Sequence, residues 1–318
     1  TLLRTVRAVS HFFCLSTPYC TVVRFYSKTR LCLMKWAIFI ALSLFTSSIF
    51  SASLTKSDVD DLLGFIDKFS KPATEKKVSP QTPLPKYQSA AVTKQANNLL
   101  RLDYEGFTVW LDCEKRGAVK FQYTAQRDNG RFKRKKSFYI DPKVPRECQQ
   151  FKTSSYKSPG QRYDRGHQVP ANHLDYSKVA IKQTNYITNI LPQAANMNRG
   201  AWLMTEEITE CYRDIDELLI IGGVIWGDNP DDDYFVKSHG VKTPDAFWKV
   251  IIRGVGSNQR AIAWIVPNSQ EAKRKQLDGY QVSVSEIERV TGEVMPVADY
   301  VKYDKGNPWV LPRGCDKG

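Results

Sequence analysis

The chain has 318 residues, 42% of them hydrophobic, with 46 basic against 33 acidic side chains and a formal net charge of +13. That length exceeds the usual size of a single domain, although length is a soft guide. The positive excess fits a surface that meets a polyanion without establishing one, and none of the seven cysteines shows the C-x-x-C spacing of a zinc site.

The first 33 residues hold Arg4, Arg7, Arg24, Lys28 and Arg30 and no acid. Residue 1 is Thr, and the status of this upstream segment, 1–33, stays open. From Met34, Lys35 precedes an apolar run from Trp36 to Phe45 and then the small residues Ser47, Ser48, Ser51, Ala52 and Ser53. A short basic region, an apolar core too short to span a bilayer comfortably and a small-residue zone make 34–53 a signal peptide, cleaved near Ser51 to Ser53. The expected product is secreted, with no stable membrane association after cleavage. The competing route leads to the mitochondrial intermembrane space, with the acid-free segment as presequence and the apolar run as an inner-membrane stop. Cys113, Cys148, Cys211 and Cys315 follow the leader. They allow two disulfides in three connectivities, which suits an oxidising compartment.

Residues 54–86 divide into a short helix and a linker. Val59, Leu62, Leu63, Phe65, Ile66 and Phe69 have near-helical spacing behind Ser57 or Asp58, and Pro72, Pro80, Pro83 and Pro85 then rule out a core-forming segment. The globular domain is expected over 87–318. Alternation in Phe107 to Leu111 and Val119 to Tyr123, around Arg116-Gly117, predicts a hairpin. Arg131 to Lys136 is a basic stretch leading into Phe138-Tyr139-Ile140, an edge of the type that faces solvent or phosphate. A helix is predicted over Lys178 to Asn185 and another over Trp202 to Arg213. Leu218 to Trp226 reads as a buried central strand in which Gly222-Gly223 marks close strand packing. Strands at Phe247 to Ile252 and Ala261 to Val266 follow, then a helix at Ser285 to Val290 capped by Ser283 or Ser285. Strands and helices do not alternate regularly, so the fold class is α+β, with a central, largely antiparallel sheet flanked by helices.

The densest run of unusual polar residues lies between Tyr163 and Glu206: Asp164-Arg165-Gly166-His167, Pro170-Ala171-Asn172-His173, Thr188-Asn189, Asn196-Met197-Asn198-Arg199-Gly200-Ala201-Trp202, then Glu206. From about Phe107 to Thr291 this order resembles the DNA/RNA non-specific endonuclease family, which includes endonuclease G. The resemblance implies a ββα-metal finger and hydrolysis of internal phosphodiester bonds in both DNA and RNA, leaving 5′-phosphate ends. Such chemistry needs a water deprotonated near neutral pH, the phosphate charge offset and the departing 3′ oxygen stabilised. His167 suits the first task, since an imidazole pKa of about 6.5 leaves a large neutral fraction. Arg165 offers a permanently charged fork for phosphate oxygens, and Gly166 permits close approach of backbone to substrate.

Asn198 matches the family's single protein ligand to the metal, on a helix expected to begin just after Gly200-Ala201-Trp202. One amide oxygen leaves most of the coordination sphere to water, as Mg²⁺ prefers, and Mn²⁺ shares that oxygen preference. The resemblance gives Glu206 the task of holding metal-bound water, and gives Asn189 a place supporting the site. Asp164 is expected to anchor the finger, its charge engaged by a partner. A second family arginine falls in the basic stretch, where Arg131 and Arg134 are both candidates. Many members carry an arginine one turn after the glutamate; here that position is Glu210, with Arg213 out of register.

Plainer readings stand beside these. A lone His is commonly a satisfied buried imidazole, Asn198 a helix cap, Glu206 part of a solvated helix face and Asn189 a turn residue before Pro192. His173 and His239 read as surface or scaffold, and Trp202 and Trp226 as core. The expected partners are DNA and RNA, held through the phosphate backbone. A homodimer is common in the family, although no heptad or apolar stripe derives one here. The alternative from another class is an exported basic protein that binds nucleic acid or another polyanion without cutting it.

Overall fold

The computed structural model describes residues 99–317. The leader, the helix expected at Ser57 to Phe69 and the proline-rich linker lie outside them. Seven strands form one sheet in the order β1-β2-β3-β6-β7-β8-β9. These are β1 (Leu99–Tyr104), β2 (Phe107–Asp112), β3 (Gly117–Ala125), β6 (Leu218–Ile225), β7 (Ala246–Arg253), β8 (Arg260–Pro267) and β9 (Gln281–Val282). Every neighbouring pair is antiparallel. The predicted hairpin is β2-β3, and the near-continuous apolar run is β6, buried in the middle of the sheet.

Side-chain alternation puts apolar residues on both faces. Leu218, Ile220 and Val224 of β6 join Phe247 and Ile251 of β7 and Trp264 of β8 in the larger cluster, against Met197 and Trp202. Trp248, Val250 and Ile252 of β7 face the other way, onto Ile287 and Val290 of α5 (Val284–Thr291). Ser283 caps that helix, accepting a hydrogen bond from the Glu286 amide at 3.2 Å, which settles the choice between the two serines. A Cβ on Gly222 would stand 2.2 Å from the Phe121 ring, and one on Gly223 2.1 Å from the Val119 carbonyl, so the paired glycines are where β6 packs closely against the neighbouring strand β3.

A separate antiparallel pair, β4 (Tyr163–His167) and β5 (Ile190–Ala194), carries the finger. Between them lies α1 (Lys178–Gln183). From β5 the chain turns directly into α2 (Ala195–Met197), a π-helical segment (Asn198–Trp202) and α3 (Leu203–Arg213). The helix therefore begins ahead of Asn198 and not after Trp202. Packing at Gly200 explains the wide turn: a Cβ there would meet the Arg274 amide at 2.9 Å, and the Ala201 amide leaves the helical ladder to donate to the Ala272 carbonyl at 3.2 Å. The remaining short helices are α4 (Val236–His239) and α6 (Asp299–Lys302).

The basic stretch forms no strand. Tyr139 makes a single bridge to Tyr186, because a segment this dense in charge has no apolar face to bury. Backbone hydrogen bonds from Arg131 and Phe132 to the Asp175 carbonyl hold it over the finger instead. Disulfides Cys113–Cys148 and Cys211–Cys315 select one of the three connectivities. No helix among the described residues is long and apolar enough to cross a membrane.

Candidate active site

β4 ends on His167, whose ring is buried at 8% exposure beside Phe138, with ring centroids 5.5 Å apart. Its Nε2 lies 2.8 Å from Asn185 Oδ1. The amide of Asn185 is oriented independently, since its Nδ2 donates to the Lys135 carbonyl at 3.0 Å. An oxygen facing Nε2 requires that nitrogen to carry the proton, so the neutral ring keeps its lone pair on Nδ1. Burial, then the nearby Arg134 and Arg165 cations, push the imidazole down to about 3 against the pull of Asn185. The ring is therefore neutral throughout the physiological range.

Asn189 stands behind this residue and is fully buried. Its Oδ1 accepts from the Val169 amide at 3.0 Å, and its Nδ2 donates to the Val169 and Thr184 carbonyls at 3.0 and 2.9 Å. With the whole amide engaged, Asn189 braces the backbone after His167 and touches no cleft. Gly166 likewise serves the fold. A Cβ there would stand 2.1 Å from the buried Gln193 side chain, so the space it leaves admits Gln193 and not substrate.

A cleft of about 510 Å³ opens beside the finger, lined by Arg134, Lys135, Phe138, Arg165, Asn198 and Arg199 among others. Arg165 lies over the Phe138 ring at 4.1 Å and donates from Nη1 to the Thr153 carbonyl at 2.8 Å. Burial holds the Arg134 guanidinium below its usual range, with Glu206 acting in the opposite sense. Of the two arginines proposed from the basic stretch, Arg134 lines the cleft and Arg131 does not.

Asn198 Nδ2 donates to Asp164 Oδ2 at 3.0 Å. That turns its Oδ1 away from the carboxylate, and no hydrogen bond reaches this oxygen among the described residues. Arg199 grips Asp164 through Nε and Nη2 at 2.8 and 2.7 Å, so the acid carries its own counter-charge. Among the described residues no group of three His, Cys, Asp or Glu side chains is placed to hold an ion. A neutral amide oxygen in an open cleft could hold a hard divalent cation that keeps most of its waters.

Glu206 lines an adjoining pocket, with Arg134 shared between the two. Burial raises its carboxyl above the usual range, while Lys249 and Arg134 pull it back. Lys249 is the unforeseen member. It is fully buried on β7 between Phe247 and Ile251, donates from Nζ to Thr205 Oγ1 at 2.7 Å and lies 3.9 Å from the Trp202 ring. Its signal in the sequence was a lone cation inside an apolar run. Asn185 and Phe138 were missed because neither carries a spacing that separates it from ordinary loop residues.

Glu210 is not on a solvated face. It is buried against Arg213 Nε at 2.5 Å, with His173 Nε2 at 3.3 Å and the Asn172 amide donating to it at 2.5 Å. Arg213 also meets Asp128 at 3.1 Å, so it is committed to the fold and offers nothing to phosphate. His173 and His239 are buried scaffold and not surface; Tyr123 Oη lies 2.7 Å from His173 Nδ1, and Ser154 sits beside His239. Trp202 is fully buried and Trp226 partly so.

Residues 87–304 match the family model described as DNA/RNA non-specific endonuclease. The mitochondrial nuclease EXOG of Danio rerio is 31% identical over 171 residues, 49% of this chain and 48% of that protein. Mitochondrial nuclease 1 of Schizosaccharomyces pombe is 30% identical over 177 residues, 50% of this chain and 53% of its own. Nuclease C1 of Cunninghamella echinulata is 28% identical over 178 residues, covering 52% and 66%. The chain thus spans about half the length of the first curated relatives it matches. The crystal structure of an EndoG/EndoGI complex superposes with a TM-score of 0.50 at 19% identity, covering 61% of this chain and 84% of that one, which places the α+β fold. With most of the described domain inside the matched segment, the chain belongs to the DNA/RNA non-specific endonuclease family.

Proposed function

We propose that the chain is a metal-dependent, sugar-non-specific endonuclease acting on DNA and RNA. The observation that carries this reading is the fixed tautomer of His167, its Nδ1 lone pair set by Asn185, within reach of the charges of Arg134 and Arg165, which line one cleft together with Asn198. Arg134 and Arg165 bind the scissile phosphate by charge and not by base identity, which accounts for tolerance of sugar and sequence. His167 Nδ1 takes a proton from the attacking water as its oxygen bonds to phosphorus. The bond from phosphorus to the 3′ oxygen breaks and that oxygen takes a proton from a second water, leaving a 5′-phosphate and a 3′-hydroxyl, while His167 returns its proton to solvent. Asn198 would hold a divalent cation, Mg²⁺ or Mn²⁺, which would supply charge stabilisation for the departing 3′ oxygen, and Glu206, in the pocket adjoining across Arg134, would orient water. A bound phosphodiester offsets the two guanidiniums that depress the imidazole, so His167 becomes more basic when substrate is present.

Purified protein is incubated with plasmid and with RNA, in Mg²⁺ or in excess chelator. Chelator-sensitive fragmentation is expected, lost by about a hundredfold or more in His167→Ala. A shifted intact band without fragments would favour the polyanion-binding alternative. For location, the mitochondrial names of the zebrafish and fission-yeast relatives support the mitochondrial route over export. Mass spectrometry of the mature N-terminus decides: a start near residues 52 to 54 means export through a signal peptide at 34–53, and a start near Ser27 means the mitochondrial route.

A further inference from the structure

The pocket on the far side of Arg134 has a volume of about 270 Å³ and differs in kind from the cleft. Phe132, Ile181 and Leu203 give it apolar walls, and Asn172, Asp175 and Glu206 add polar and acidic edges. Phe132 and Leu203 are 39% and 37% exposed, and Phe132 is the aromatic member of an otherwise cationic stretch. Its backbone amide is anchored to the Asp175 carbonyl at 3.1 Å, and Lys178 Nζ stands 5.3 Å from its ring, so the ring is already in place. The rim is completed by Lys317, which meets Glu207 at 3.6 Å. Lys317 lies beyond the segment that matches the family model and is held near α3 by Cys211–Cys315.

We propose that this pocket is a subsite for one unstacked base of a single-stranded nucleic acid. The base lies on Phe132, and its flanking phosphate is held between Arg134 and Lys317. This rests on the reading that the cleft holds the scissile phosphate, because Arg134 then joins successive nucleotides across the two spaces. The apolar walls match a base, the carboxylates among them can accept from its ring N–H or amino groups, and Arg134 and Lys317 at the edge match its phosphate. Bases within a duplex are stacked on their neighbours and do not enter a pocket of this size, so the subsite favours single strands.

Binding is measured by fluorescence anisotropy in excess chelator, where no cleavage occurs, using a labelled twelve-residue oligothymidylate and an abasic strand of equal length. The wild type should bind the oligothymidylate about tenfold more tightly, the scale of one aromatic–base stack. Phe132→Ala should lose most of that difference, while Phe132→Trp should keep it. Equal binding of the two strands by the wild type, or an undiminished difference in Phe132→Ala, overturns the subsite. Metal-dependent cleavage of plasmid is scored separately. Its absence would overturn the nuclease reading and leave the anisotropy comparison interpretable.

Discussion

A hydrogen bond of 2.8 Å decides which nitrogen of His167 is available for chemistry. Removing the acceptor in Asn185→Ala frees the ring to adopt the other tautomer, and turnover should fall about ten- to a hundredfold. The matching measurement is steady-state cleavage of a single-stranded oligonucleotide, with unchanged melting to exclude unfolding; wild-type turnover would show that the tautomer is fixed elsewhere. Lys249 acts one layer deeper. Because it pulls the Glu206 carboxyl down, Lys249→Met should move the acidic limb of the pH–rate profile to higher pH, and an unmoved limb would separate Glu206 from turnover. His167, Arg165 and Asn198 were legible as residues because their order along the chain matches a known motif. Their hydrogen-bond partners were not, since Asn185 and Lys135 reach the site through the fold and through no spacing of their own.

The finger shows what periodicity does and does not convey about elements. β6, β7 and β8 were visible as apolar runs, and α5 by its serine cap. The start of the helix at Ala195 left no mark, because β5 runs into it without a capping side chain. Its π segment depends on a backbone contact to Ala272, which no local pattern encodes. The same tightness between elements fixes Gly166, where β4 meets Gln193 of β5. Gly166→Ala should cost about 1–3 kcal/mol by overpacking, seen as a lower urea midpoint. An unchanged midpoint would mean that Gln193 has somewhere else to go.

At the scale of the whole molecule, pH links the site to stability. Native His167 resists protonation down to about 3, whereas the unfolded chain takes up that proton near pH 6.5. Between these values the unfolded state binds more protons, so acid favours unfolding, by about 2 kcal/mol at pH 5 from this residue alone. His167→Gln should therefore lose that much less stability than the wild type between neutral pH and pH 5, as read from denaturant curves at each. Equal losses would show that the ring titrates in the native state. The disulfide between Cys211 and Cys315 has a practical consequence for anyone producing the protein. It ties the segment around Cys315 back to the helix that carries the site, so production in a reducing host would leave that segment, Lys317 included, untethered beside the working face. The redox state of the host thus becomes an experimental variable, and protein from an oxidising host is the one to assay.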